Sequence, residues 1–96
     1  MLVKKLKNIL ENILLENDTK KIDHISEFQN LVWNDDTIND KILNDLLTSI
    51  AYDLDFYQPN QIKRKESNSY YDNVDLHNLI KKSLIEMEKI TNNNKN

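Results

Sequence analysis

No glycine occurs anywhere in this 96-residue chain, and its single proline is Pro59. Glycine supplies the positive-φ positions that tight hairpins and phosphate-cradling loops require. Its absence disfavours a hairpin-built sheet and any Gly-rich nucleotide loop, which leaves an all-α chain as the expectation. Asparagine is abundant and tolerates the left-handed region, so it is expected to end helices where glycine ordinarily would. A chain of this length fits one domain with a modest core. Cysteine is absent, which excludes disulfides, thiolate metal sites and a cysteine nucleophile, and suits a reducing cytoplasm.

Hydrophobic spacing predicts four helices. Leu2, Leu6, Ile9, Leu10, Ile13 and Leu14 place the first over residues 2–16. Asp18 or Thr19 is the expected cap of the second, which carries Ile22, Ile25, Phe28 and Val32, with Trp33 near its end. Asp36 or Thr37 is the expected cap of the third, with Ile38, Ile42, Leu46, Ile50, Leu54 and Tyr57 along one side. Gln58 precedes Pro59 and is steered away from the helical region, so this helix should stop near Tyr57. The fourth begins at Asp72 or Asn73 and runs through Val74, Leu76, Ile80, Leu84, Met87 and Ile90. The predicted architecture is a single-domain four-helix bundle over residues 1–91, followed by a disordered polar tail over 92–96. Its predicted core contains Leu6, Ile13, Phe28, Val32, Leu46, Ile50, Leu54, Leu84 and Met87, and Trp33 is read as core with them. The connection over residues 60–72 is long for so small a domain, and such segments are usually functional or disordered. It holds the one basic run, Lys63, Arg64 and Lys65.

Charge is unevenly spread. Residues 16–55 carry ten acids against three lysines, whereas the segments on either side are net positive. An acidic middle disfavours direct nucleic-acid binding, which needs Lys and Arg at phosphates, and favours a basic partner. On a helical wheel Lys41, Asp45, Thr48, Tyr52 and Asp55 share the outward stripe of the third helix. Asp53 falls at the edge of its apolar side, so it should be partly buried and hydrogen-bonded.

Asp53 and Asp55 pose a specific problem. A helix C-terminus carries partial negative charge, and exposed carboxylates there cost about 0.3–1 kcal/mol each. Asp45 and Asp55 read either as an ordinary solvated face or, with Tyr52 between them, as a docking stripe for a basic surface. Asp35, Asp36 and Asp40 have a competing local role, because acids belong in a first helical turn.

Catalytic patterns are lacking. His24 and His77 lie far apart and in no metal-ligand spacing. Ser67, Ser69 and Ser83 lack an oxyanion-loop context, and no inward Glu-x-x-His pattern for a di-metal bundle occurs. No enzyme activity, cofactor or metal is expected. No apolar run approaches the ~20 residues of a membrane span. "MLVKKLKNILENILL" contains Glu11 and no small-residue cleavage site, so it does not read as a signal peptide. A cytoplasmic protein without membrane contact is expected.

"EFQNLVWNDD", "ILNDLLTSIAYDLDFYQPN" and "DNVDLHNLIKKSLIEMEKI" together resemble the colicin D immunity family and its relatives among immunity proteins of contact-dependent growth inhibition. The matching elements are Phe28 and Trp33, then Asp35 and Asp36, then Asp55, Tyr57 and Pro59, then Asp72 and Asp75. The likeness covers about residues 25–90, and "IKRK" departs from the family's acidic loop. It implies a small helical bundle that binds the C-terminal nuclease domain, often tRNA-cleaving, of a cognate toxin, with acids standing in for RNA phosphates. The partner-binding residues expected on the combined reading are Asp45, Tyr52, Asp55, Asp35, Asp36 and Asp40. An accessory host protein in such a complex is compatible with the reading. The competing expectation is an acidic adaptor or antitoxin of unrelated ancestry that mimics nucleic acid.

Overall fold

The computed structural model describes residues 2–34 and 40–93, and every regular element in that range is helical. The elements are α1 (Leu2–Leu15), α2 (Asp18–Asn34), α3 (Lys41–Leu54), α4 (Gln61–Arg64) and α5 (Asn73–Asn93). The four long helices contact one another in a ring: α1 with α2, α2 with α3, α3 with α5, and α5 with α1. The short α4 lies within the connection between α3 and α5. α5 runs to Asn93, two residues into the stretch 92–96 that the sequence assigned to the tail; residues 94–96 lie outside the described range.

Short polar side chains start the helices. Asn17 Oδ1 accepts from the N–H of Lys20 at 3.1 Å, so Asn17 caps α2 rather than Asp18 or Thr19. Asp40 Oδ1 accepts from Leu43 N–H at 3.1 Å and caps α3. The expected caps Asp36 and Thr37 lie outside the described residues, as does Ile38. Asp72 Oδ1 accepts from Asp75 N–H at 3.1 Å and caps α5, which starts at Asn73, one of the two starts expected. Each such bond satisfies one of the donors a helix start leaves open. Among the described residues no backbone has positive φ, so the expected left-handed asparagine ends are not used. α3 instead closes by tightening. The N–H groups of Asp55, Phe56 and Tyr57 donate to the carbonyls of Tyr52, Asp53 and Leu54 at 3.1, 3.2 and 3.2 Å. Three successive bonds to the third residue back mark 3₁₀ geometry. They end the α-helix at Leu54, three residues before the position the sequence suggested.

The core follows from one apolar stripe per helix. α1 buries Leu6, Ile9, Leu10 and Ile13; α2 buries Ile25, Phe28 and Val32; α5 buries Leu76, Ile80 and Met87. On α3 the buried set is Leu43, Leu47, Ile50, Ala51 and Leu54. Ile42 is exposed and Leu46 only half-buried, so the stripe lies about one residue round from its predicted position. Of the predicted core, Leu6, Ile13, Phe28, Val32, Ile50, Leu54 and Met87 are buried, while Leu46 and Leu84 pack half-buried against it. Trp33 is 53% exposed and does not belong to the core. It lies one residue beyond Val32, about 100° round the helix from the buried stripe.

The chain leaves and re-enters the helical ring at one point. Gln58 N–H donates to the Tyr71 carbonyl at 3.0 Å, and Tyr71 N–H donates to the Phe56 carbonyl at 3.1 Å. This isolated parallel bridge pairs Tyr57 with Tyr71. The Tyr71 hydroxyl also donates to the Asp53 carbonyl at 2.6 Å.

Candidate functional site

The exit of α3 gathers the features singled out by charge. Tyr52 is 62% exposed, and its ring meets Phe56 edge-on with centroids 5.3 Å apart. Asp45 and Asp55 are exposed as well. Asp45 forms an ion pair with Lys41 at 3.1 Å. Exposed pairs one helical turn apart contribute only about 0.3–0.5 kcal/mol, but this one supplies Asp45 with a local cation. Asp55 makes no ion pair among the described residues, and the last turn of α3 contains no basic side chain. The helix dipole and the Asp55 carboxylate therefore present negative charge together at one end.

Asp40 lies at the opposite end of α3, about 22 Å away by helical rise, with its carboxylate engaged in capping. It does not join the Tyr52 and Asp55 surface. Asp35 and Asp36 lie outside the described residues.

α2 braces the α3 exit. Gln29, buried on α2, reaches this turn: its Nε2 donates to Ala51 O at 3.1 Å and, more distantly, to Asp55 Oδ1 at 3.4 Å. Asp53 is half-buried as expected. Its hydrogen bonding among the described residues runs through its backbone carbonyl, however, and not through the carboxylate. Between α2 and this exit lies a cleft of about 160 Å³. Ile22, Ile25, Leu54 and Pro59 form apolar walls, with Gln29 and Asp55 as polar members. Ile22, on the apolar stripe of α2, is partly exposed because it lines this wall.

A second polar cluster joins α2 to α5. Lys21 is only 5% exposed. Its Nζ lies 3.1 Å from His77 Nε2 and 3.5 Å from Asn73 Oδ1, and the same Asn73 oxygen accepts from the Tyr57 hydroxyl. Burial, with Lys21 and then Lys81 adding repulsion, holds the His77 imidazole below its ordinary pKa. Burial is also the main reason the Tyr71 phenol is held well above its usual range; the carboxylates of Asp53, Asp55 and Asp75 and the Tyr57 phenol reinforce it. Tyr71 therefore remains a proton donor to Asp53 O. This cluster escaped the sequence reading, yet it had a signal there. Lys21 occupies a position on the same stripe as Ile25, Phe28 and Val32, and a cation in an apolar stripe needs polar partners.

Among the described residues no group of three or more His, Asp or Glu side chains is placed to hold a metal ion. No helix among them is long and apolar enough to cross a membrane. Compared with family models, with curated proteins and with solved structures, the chain matches none.

Proposed function

We propose that this protein is an immunity protein of the colicin D type. In this reading it is a four-helix bundle that binds the basic C-terminal nuclease domain of a cognate bacterial toxin, tRNA-cleaving by the resemblance, and blocks it without chemistry of its own. The observation that carries the reading is the α3 exit, where an exposed aromatic ring stands beside a carboxylate that lacks an ion pair among the described residues. An aromatic anchor supplies contact area at an interface, and the acid selects a basic surface. The excess of acids over residues 16–55 extends that preference to approach from a distance.

The test uses the product of the adjacent reading frame as candidate toxin. Its nuclease domain is assayed on total tRNA with the wild-type protein added, and on- and off-rates are measured. Reversing Asp45 and Asp55 to Lys should slow association, while Tyr52→Ala should mainly speed dissociation. Full inhibition by a folded Asp45→Lys, Tyr52→Ala, Asp55→Lys protein would remove this surface as the site. Binding of a basic domain without loss of nuclease activity would point to an acidic adaptor instead.

A further inference from the structure

We infer that the cleft between α2 and the α3 exit is a receptor for a single arginine side chain of the basic partner; the inference rests on the binding role proposed above. Three independent features converge on this occupant. The first is size. A cavity of about 150 Å³ holds a benzene-sized group, whereas pockets for drug-sized ligands run from about 300 Å³ upward. At about 160 Å³ the cleft is the size of one side chain.

The second is the division of its lining. Ile22, Ile25, Leu54 and Pro59 offer an apolar wall, and the polar part of the lining, with Ser26, Gln29 and Gln58, includes one carboxylate, Asp55. That is the profile of arginine and lysine, which lay an aliphatic stem along apolar surface and keep a charged head at a polar end. A purely apolar occupant would desolvate the Asp55 carboxylate without return. A phosphate would meet like charge. A metal ion would find one carboxylate, and no group of three such ligands occurs among the described residues.

The third is the surplus of acceptors. Gln29 directs its amide nitrogen to Ala51 O and Asp55 Oδ1, and its Oε1 accepts no bond among the described residues. Asp55 receives only the long 3.4 Å contact from Gln29. Arg64 directs its Nη1 to the Gln58 and Pro59 carbonyls at 2.9 and 3.1 Å and forms no ion pair with Asp55 among the described residues. The dipole end of α3 adds negative potential at the same place. A guanidinium presents five donors in a planar fork that matches a carboxylate, whereas an ammonium is a compact point charge. Arginine therefore fits better than lysine. The placement of Asp55 then has a functional explanation: the self-repulsion of a carboxylate at a helix C-terminus is relieved when the cation enters.

The experiment is an NMR titration of the full isotope-labelled chain with N-acetyl-arginine methylamide, with the lysine and norleucine amides and guanidinium chloride as comparison probes. Saturable shifts are expected at the amides of Ile22, Gln29, Asp55 and Gln58, with affinity in the order arginine, lysine, norleucine. Asp55→Asn keeps an acceptor for Gln29 but removes the charge, and should weaken arginine binding about tenfold, the scale of a lost charge-assisted contact. Ser26→Leu fills the cleft from another of its lining positions and should abolish the saturable shifts. Thermal unfolding of both variants checks that they remain folded.

Equal responses to arginine amide and guanidinium chloride would overturn the inference. So would lysine binding as tightly as arginine, or arginine binding untouched by Asp55→Asn and Ser26→Leu. The two proposals separate cleanly. If the Ser26→Leu protein still inhibits the toxin domain at full potency, the cleft is not the receptor and the immunity reading stands. If arginine amide fills the cleft but no toxin domain binds, the cleft stands and the immunity reading fails.

Discussion

Replacing Gln29 by Met tests how α3 ends. Gln29 is buried, and its amide nitrogen is the donor that reaches the Ala51 carbonyl at 3.1 Å. Ala51 is itself fully buried, so without that donor a peptide oxygen loses its side-chain partner, and the Gln29 site loses its polar contact, away from water. Leaving a buried acceptor unsatisfied costs about 1–3 kcal/mol. Met has nearly the same shape, and volume-conserving swaps usually cost less than about 1.5 kcal/mol, so the polar term should lead. For a domain of this size each kcal/mol moves Tm by about 4–8 °C. Gln29→Met should therefore lower Tm by at least about 4 °C and by as much as roughly 20 °C.

Asp55→Ala is the discriminating partner. It removes only the 3.4 Å contact at an exposed site and relieves about 0.3–1 kcal/mol of dipole repulsion, so its net effect should be close to zero. The assay is thermal and urea unfolding followed by far-UV circular dichroism. A Gln29→Met protein with unchanged Tm, or an Asp55→Ala protein that loses as much as Gln29→Met, would refute the account of the Ala51 carbonyl as the group that matters.

Leu47 has no exposed surface, so Leu47→Ala should cost about 2–5 kcal/mol in urea unfolding, with Trp33→Ala costing less than half as much. Tyr71→Phe removes one of two donors to the half-buried Asp53 carbonyl and should cost about 0.5–1.5 kcal/mol. The wild type should also lose stability as pH rises above about 10, where the unfolded Tyr71 phenol ionises and the folded one resists; the variant should lack that component. His77 has the opposite dependence. Its folded pKa is lowered, so the unfolded chain takes up the proton first, and stability should fall as pH drops through about 6.5. His77→Gln should flatten that part of the profile, and Lys21→Met should raise the His77 pKa read from its ring resonances.

The sequence located elements better than faces. On α1 the predicted stripe of Leu6, Ile9, Leu10 and Ile13 is the buried one, with Leu14 half-buried beside it. α3 carries the doublets Ile42-Leu43 and Leu46-Leu47, and a wheel cannot choose between adjacent apolar residues. The choice is made by packing, because α3 contacts both α2 and α5, and Ala51 qualifies for the core through close approach, not bulk. The caps were ambiguous for a similar reason: "NDDTINDK" offers a cap-competent residue at nearly every step, and Asp40 is selected by where α3 begins to pack. The outward placement of Asp45, Tyr52 and Asp55 needed only helical periodicity, so it was legible. The cleft and the Gln29 brace were not, since Gln29 and Asp55 are 26 residues apart in sequence. The polar partners Lys21 and His77 are separated further still, by 56.

The Tyr57–Tyr71 bridge has a consequence for how the chain can be altered. Because two backbone bonds clamp the neck of the connection between α3 and α5, what lies beyond the clamp is mechanically separate from the helices. Doubling the length of a flexible loop costs only about 0.6 kcal/mol in closure entropy. The turn at Asn68 and Ser69, both exposed, is thus a natural port for insertion. A reporter peptide or fluorescent tag placed there should leave the helical ring standing, and it would tether any passenger at a fixed point about the clamp.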